Sequence, residues 1–369
     1  MGRLCALSLN RAGHNIQLFD KDSKTGTQSA AYAAAGLLTP LGESLHAERN
    51  IVELGFASMK LWPKLLSTLE QYHFFQQQGS IVLSHEQDKG DYLRLWRHLQ
   101  HAYPEHEVTS LNRQQLNELE PELSHRFNQG LYLPQEGQIG NRKLLSALAW
   151  QLEHEAVVWH EHSNVTGIHI GKEGGRLEVN DRQMEFDLIL DCRGMGARAP
   201  DAKPKAAPLA RLRGVRGELF QLFAPEVNIS RPVRLMHPRY QLYIAPKPKG
   251  FYVVGATEIE SDDQSPMTVR SAMELLSAAY SVHSGFAEAN IRQHVSQLRP
   301  AFDDNQPQIR VDKRLIQING LYRHGFLIAP AVLKQVEQAV NRQLSQPSSD
   351  IHKFNSLLPI HNMETESHL

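Results

Sequence analysis

The run MGRLCALSLNRAGHNIQLFD limits what this chain can fold into more than any other stretch. Leu4, Ala6 and Leu7 recur at helical spacing, Gly13 stops the helix, and NIQLFD reads as a short strand ending in Asp20. A glycine-opened helix followed by a strand with a terminal carboxylate is the second half of a dinucleotide-binding β-α-β unit. There the third glycine of G-x-G-x-x-G lets helix and strand pack closely, and the carboxylate takes the ribose hydroxyls. Gly2 and Asp20 fit those two positions. The first strand and first two glycines have no counterpart here. The spacing therefore leads to the expectation that the natural protein begins upstream of Met1, and that the chain as given binds a dinucleotide poorly. Alone the pattern is weak, because glycine before a helix and aspartate after a strand often meet by chance.

The rest of the 369-residue sequence supplies the context. The length suits two domains or one large interleaved body. A net charge of -1 gives no electrostatic case for binding nucleic acid or a membrane surface. No apolar run reaches membrane-span length, and no signal peptide is apparent. Two cysteines, Cys5 and Cys192, exclude a disulfide framework and a cysteine-rich zinc site, so a cytoplasmic location is expected. His160 and His162 are a candidate metal pair, but no HExxH or carboxylate cluster accompanies them. The expectation is no metal.

Helical spacing recurs over 44–72, in KGDYLRLWRHLQHAYP, in SLNRQQLNELEP, in NRKLLSALAWQLEHEA, over 269–286 and from Ala331 to about Leu344. Strand patterns fall at GSIVLSHE, QGLYLPQEGQI, AVVWHEHSNVTGIHI, GRLEVN and FDLILDCRG. A β-rich part follows, from GVRGELFQLF to GFYVVGATEIE. Pro200–Pro208 reads as a crossover linker and the last residues as a frayed tail. The order predicts an α/β chain. A Rossmann-like domain is built from separated segments (1–72, 137–205 and 296–342), and its first strand is absent. An α+β second domain with a mixed, antiparallel-rich sheet occupies 73–136 and 206–295, and 343–369 forms a polar tail.

Five further segments, in order, resemble the glycine oxidase/D-amino-acid oxidase family of flavoproteins: SAAYAAAGLLTP, FDLILDCRGMGAR, PRYQLYIAPKPKGFYVVGATEIES, QLRPAF and GLYRHGFLIAPAV. The resemblance extends from Gly2 to about Val340 and points to the glycine oxidases associated with thiamine biosynthesis. It implies FAD as cofactor. Residues implied to hold it are Gly2, Asp20, Lys21, Ala30, Ala31, Ala35, Gly36, Leu37, Val165, Cys192, Gly194, Leu321, Tyr322, Arg323, His324, Gly325, Phe326 and Leu327. Leu37 stands where the family often has Met, a swap of similar volume. In RHGFLIAPAV, Gly325 permits close approach, Pro330 suits a first helical turn, and backbone N–H groups can stabilise negative charge on a reduced flavin.

By the same resemblance the catalytic candidates are Tyr243, Arg299 and Arg323. A guanidinium holds a substrate carboxylate bidentately, and the tyrosine hydrogen-bonds the substrate. Arg193 and Arg216 rank lower, as strand-end or surface residues. The implied reaction is hydride transfer from the α-carbon of glycine or a similar small amine to flavin N5. It gives an imine, and peroxide when oxygen is the acceptor. A homo-oligomer is compatible with the sequence. Two alternatives stand beside this reading: a flavin enzyme of a modified tRNA nucleoside, and a degenerate member that binds without catalysis.

Overall fold

In a computed structural model, residues 1–171, 174–198, 208–237, 242–345 and 360–362 are described. Their helices are α1 (Gly2–Arg11), α2 (Pro40–Glu43), α3 (Arg49–Leu66), α4 (Lys89–Ala102), α5 (Arg113–Leu119), α6 (Asn141–His154), α7 (Val269–Val282) and α8 (Gly325–Ser345). Of the expected linker only Pro208 lies among the described residues.

The fold is mixed α/β with two main cores. The first joins α1, α3, α6 and α8 through Leu7, Leu54, Trp62, Leu148 and Val332, and includes Ile309, Ile316 and Ile318 of the adjoining strands. Its strand pairs are largely parallel: Gln17–Phe19 on Val158–His160, and Ile189–Asp191 on Leu315–Asn319. Parallel pairing needs long crossovers, which is why this layer draws on segments far apart in sequence. The second core lies on a nine-stranded sheet and buries Ile81, Phe127, Ile244, Tyr252 and Leu275. Every pairing in that sheet is antiparallel except Val233–Met236 on Ser80–Ser84. The strand Asn290–Ala301 carries the Leu-Arg-Pro segment and pairs along Arg213–Phe223.

Three expectations change. Over the 44–72 stretch the helix is confined to α3 (Arg49–Leu66), and Ser44–Glu48 separates it from the short α2, which ends at Glu43. The tail is not wholly frayed: α8 runs to Ser345, and residues 360–362 pair in parallel with Gln308–Asp312. The last helix starts at Gly325, six residues before the predicted Ala331, so Pro330 lies in its second turn. A proline there leaves the carbonyl four residues back without a donor. That carbonyl, Phe326 O, accepts from the indole N–H of Trp62 at 3.1 Å, and Ser58 Oγ accepts from Ala331 N at 3.1 Å. α3 thus repairs the helix from outside. Trp62→Phe keeps the ring but orphans the buried carbonyl. It should cost about 1–3 kcal/mol, read as a lower denaturation midpoint at unchanged m-value. An unchanged midpoint would show that Phe326 O finds another donor.

Candidate functional site

A cavity of about 1250 Å³ is lined from both cores. That exceeds the roughly 300–1,000 Å³ of most small-molecule pockets, so it has room for a dinucleotide as well as a small substrate. Every cofactor and catalytic candidate from the sequence lines this cavity: residues of 2–6, 15–22, 28–37, Val165, 188–196, Tyr243, Arg299 and 321–327 all contribute to its wall.

At one part of the wall α1 opens onto the cavity. Its first helical bond runs from Cys5 N to Met1 O at 3.0 Å, and no acid stands in its first turn. The preceding amides and the helix dipole suit an anion such as phosphate. Asp20 ends the neighbouring strand and donates its backbone N–H to His160 O at 3.0 Å. Its Oδ1 accepts from Asp22 N at 3.0 Å, and burial pushes its carboxyl up. Lys21 is exposed beside it. The close packing expected at Gly2 is not sterically required: an added Cβ would sit 3.7 Å from Cys192 Cβ and 3.8 Å from Leu18 Cδ1, ordinary contacts. Val165 O accepts from Arg193 Nη1 at 3.1 Å, while Arg193 clamps Asp191 through two 2.9 Å bonds. Arg193 is therefore structural. Gly194 has φ +57° and its carbonyl accepts from Asn319 Nδ2.

Sequence reasoning passed over Arg3. Its guanidinium donates to Leu145 O at 2.7 Å and Lys24 O at 2.9 Å and lies over Trp159, 4.8 Å from the ring centre. Nothing in its local pattern distinguishes it from a solvent-facing helix residue.

The small-residue segment forms the middle wall. Ala31 O and Tyr32 O both accept from Asn141 Nδ2 at 2.9 Å, which fixes the turn holding Ala30 and Ala31. Ala35 is buried with Leu219, Ala245 and Val253, and Leu37 and Tyr243 pack against that cluster. Gly36 has φ +70° and lies so close to the Gly137–Ile139 strand that a Cβ would fall 2.2 Å from Ile139 O.

Residues 321–327 carry the chain into α8. Tyr322 takes φ +49° and bonds to Pro300 O through its N–H. The first helical bond is Ile328 N to His324 O, so the amides of Gly325, Phe326 and Leu327 precede the helical ladder at the cavity wall. His324 is buried; its Nε2 lies 3.5 Å from Glu43 Oε2, and neither ring nitrogen makes a well-formed hydrogen bond among the described residues. Burial pushes its pKa down and keeps it neutral at pH 7.

Tyr243, Arg299 and Arg323 meet at the far part of the cavity, but the two arginines differ. Arg299 lies flat on the backbone of Gly217, where a Cβ would fall 2.3 Å from its Cζ. Its Nη1 donates to Thr257 O at 3.1 Å and Arg216 O at 3.4 Å, and among the described residues it pairs with no carboxylate. Arg323, expected to bind substrate, is instead engaged by two acids. Its Nε donates to Glu43 Oε2 at 2.7 Å, and its Nη1 donates to Glu258 Oε2 at 2.7 Å. Arg234 Nη2 also reaches Glu43, at 2.5 Å. Burial pushes the Glu43 carboxyl up, but Arg323 and Arg234 outweigh it and hold it well below the usual range. Burial likewise raises the Tyr243 phenol, so it remains protonated at neutral pH. Arg216 is no surface residue: it is 2 % exposed and tied to Glu218 and Asp263. Glu43 and Glu258 were missed: Glu43 is a lone acid in TPLGESLH, and Glu258 is one of several acids in ATEIESDD with no local pattern that singles it out.

Beneath this network Glu136 is fully buried and accepts from Gly42 N at 2.8 Å and from the Ser80 hydroxyl. Burial raises its carboxyl to about 7. The folded state therefore holds a proton that the unfolded chain releases near its ordinary value. Stability from this group is full at low pH and is lost as pH rises toward 7. Glu136→Gln should flatten that slope, seen by comparing urea midpoints at pH 5 and pH 8. Parallel profiles for the two proteins would refute it.

The sequence and the fold are shared with known proteins. The family described as DAO, FAD dependent oxidoreductase, matches residues 1–337. The chain belongs to this family. A Rhizobium etli protein named as a putative thiamine biosynthesis oxidoreductase, ThiO, is 34% identical over 94% of this chain and 95% of its own. The fold matches the glycine oxidase of Geobacillus kaustophilus with a TM-score of 0.79, at 23% identity over 95% of this chain and 94% of that one. It also matches iminodiacetate oxidase from Chelativorans with a TM-score of 0.77, at 20% identity over 97% and 96% of the two chains. The chain is thus an FAD-dependent oxidoreductase of the glycine oxidase and ThiO type, and its cofactor is FAD. A modified tRNA nucleoside as substrate receives no support from these relatives.

The residues present fit FAD. α1 offers uncapped amides for the pyrophosphate, Asp20 offers a carboxylate for ribose hydroxyls, and the amides opening α8 offer donors to an electron-rich ring carbonyl. No described group of three or more His, Cys, Asp or Glu is placed to hold a metal ion, and no described helix is long and apolar enough to cross a membrane.

Proposed function

We propose that this oxidoreductase oxidises a small α-amino acid or N-substituted glycine. The observation that carries the reading is Arg299, a guanidinium in the cavity wall that pairs with no carboxylate among the described residues. Its Nη1 is used by two backbone carbonyls, which leaves its remaining donors for a planar anion. Tyr243, protonated and in the same part of the cavity, donates or accepts a hydrogen bond at the substrate. Arg323 does not bind substrate in this reading. Held by Glu43 and Glu258, it fixes the wall opposite Arg299.

FAD, held by the α1 amides, Asp20 and the amides opening α8, would supply a two-electron acceptor for breaking the substrate's α-C–H bond. The chain's part is orientation: Arg299 anchors one end of the substrate, and the α8 amides favour negative charge at the cofactor. We further propose oxygen as electron acceptor, a cytoplasmic location, and the first core with its strands as the FAD-binding domain. The name of the Geobacillus relative, a glycine oxidase, supports the amine class. Anaerobic mixing with glycine, sarcosine and D-alanine should bleach the visible flavin band, and admitting oxygen should restore it with one peroxide per amine consumed. A flavin that bleaches with none of these would end the reading.

A further inference from the structure

The charges at the substrate end balance in an informative way. Glu43, Glu258, Arg234 and Arg323 form one connected set of two acids and two guanidinium groups. Among the described residues Arg299 stands outside these ion pairs and pairs with no carboxylate, although its charge helps to lower the Glu258 carboxyl. The wall is therefore built to receive one carboxylate and no second one. Glu258 decides where the second would be refused. Its backbone follows Thr257, whose carbonyl Arg299 itself holds at 3.1 Å. A carboxylate is thus fixed within one residue of the group that anchors the substrate. It cannot easily swing away: Oε2 takes Arg323 Nη1 at 2.7 Å, and the buried Tyr322 phenol hydrogen-bonds the same carboxyl. Tyr322 in turn is tied by its N–H to Pro300, the residue after Arg299. The Glu258 side chain is nonetheless 48% exposed while that of Arg323 is 15% exposed. One edge of the carboxylate is gripped and the other faces open cavity. Burial pushes the carboxyl up, but Arg323, Tyr322 and Arg299 outweigh it, so the charge is present at neutral pH.

We propose that Glu258 is a specificity-determining residue that turns away substrates carrying a second anionic group and admits glycine derivatives whose nitrogen substituent is neutral or cationic. The inference rests on the assignment of Arg299 to the substrate carboxylate. A like charge a few ångströms from a bound dianion, in a cavity partly shielded from water, outweighs what the same pair would cost in bulk solvent.

The test compares sarcosine with iminodiacetate as substrates, and acetate with malonate as ligands read by perturbation of the flavin spectrum in the holoenzyme. The native protein should favour sarcosine by about 100-fold or more in kcat/KM and bind acetate more tightly than malonate. Glu258→Gln should narrow both ratios at least tenfold, chiefly through KM and Kd of the dianion. Glu258→Asp, which keeps the charge, should preserve the discrimination and so separates charge from a folding defect. Amine oxidation with ratios unchanged in Glu258→Gln overturns the charge gate but leaves the proposed function standing. Failure of the native protein to bind acetate or to oxidise any amine overturns both.

Discussion

Arg299→Leu should leave FAD bound and the protein folded while raising KM for an amino-acid substrate by roughly 30-fold to several thousand-fold. Losing one partner of a shielded, hydrogen-bonded charge pair costs about 2–5 kcal/mol, and each 1.4 kcal/mol is about tenfold. The size of the effect follows from how the side chain is held. Gly217 lets the guanidinium lie directly on the backbone, and Thr257 O and Arg216 O fix its Nη1. The group is thus oriented before substrate arrives, and little of its interaction energy goes into ordering it. Arg299→Lys should recover only a small part of the loss, because an ammonium presents a point charge where the site presents a flat, two-pronged donor. Steady-state kinetics with glycine and sarcosine, alongside the ratio of flavin to protein absorbance, separates the outcomes. A normal KM would show that the carboxylate is held elsewhere, and loss of flavin would show that Arg299 acts on the cofactor site.

The same comparison with Arg323 explains what could be read from sequence. Both arginines were legible as members of a cavity, because Leu-Arg-Pro and Tyr-Arg-His-Gly are local patterns and each belongs to one strand or turn. Their difference was not legible. Glu43 lies 280 residues from Arg323, and Glu258 lies 65 away. No local pattern records which acid a guanidinium will meet when its partners lie 65 and 280 residues away. The same holds for Arg216, whose burial depends on the loop carrying Asp263 and Pro266. Helix α8 fails for a related reason. Pro330 is a legitimate first-turn signal, and only a tertiary contact, the Trp62 indole on Phe326 O, lets the helix begin a turn earlier. By contrast, the run from Gly2 to Asp20 and the helix over 141–154 needed only periodicity and their own stop signals, and both stand as elements of the structure. What the sequence concealed was charge pairing and external repair, both properties of residues brought together by the fold.

Gly36→Ala should destabilise the protein by about 2–4 kcal/mol, at the upper end of single-site effects, and lower its FAD content. Two costs coincide at this position. The left-handed backbone, φ +70°, penalises any Cβ by about 1–2 kcal/mol. The added carbon would also fall 2.2 Å from Ile139 O, a backbone atom that cannot rotate aside. Relief requires the two segments to part, and they are joined there by the 2.7 Å bond from Ile139 N to Gly36 O and by the pairing of Leu37–Leu38 with Gly137–Ile139. Parting them moves Ala35 and Leu37, which form the middle wall of the cavity, away from Tyr243 and Ala245. The stability loss should therefore appear in the flavin-free protein, and a further loss of bound flavin should appear in the holoenzyme. Thermal unfolding of both forms, with the flavin-to-protein ratio after gel filtration, distinguishes the two contributions. Equal midpoints with normal flavin would mean that the strands accommodate a methyl group. Because the added methyl would be aimed at Ile139 O, a loss of flavin in this variant acts through the backbone that carries Ala35 and Leu37.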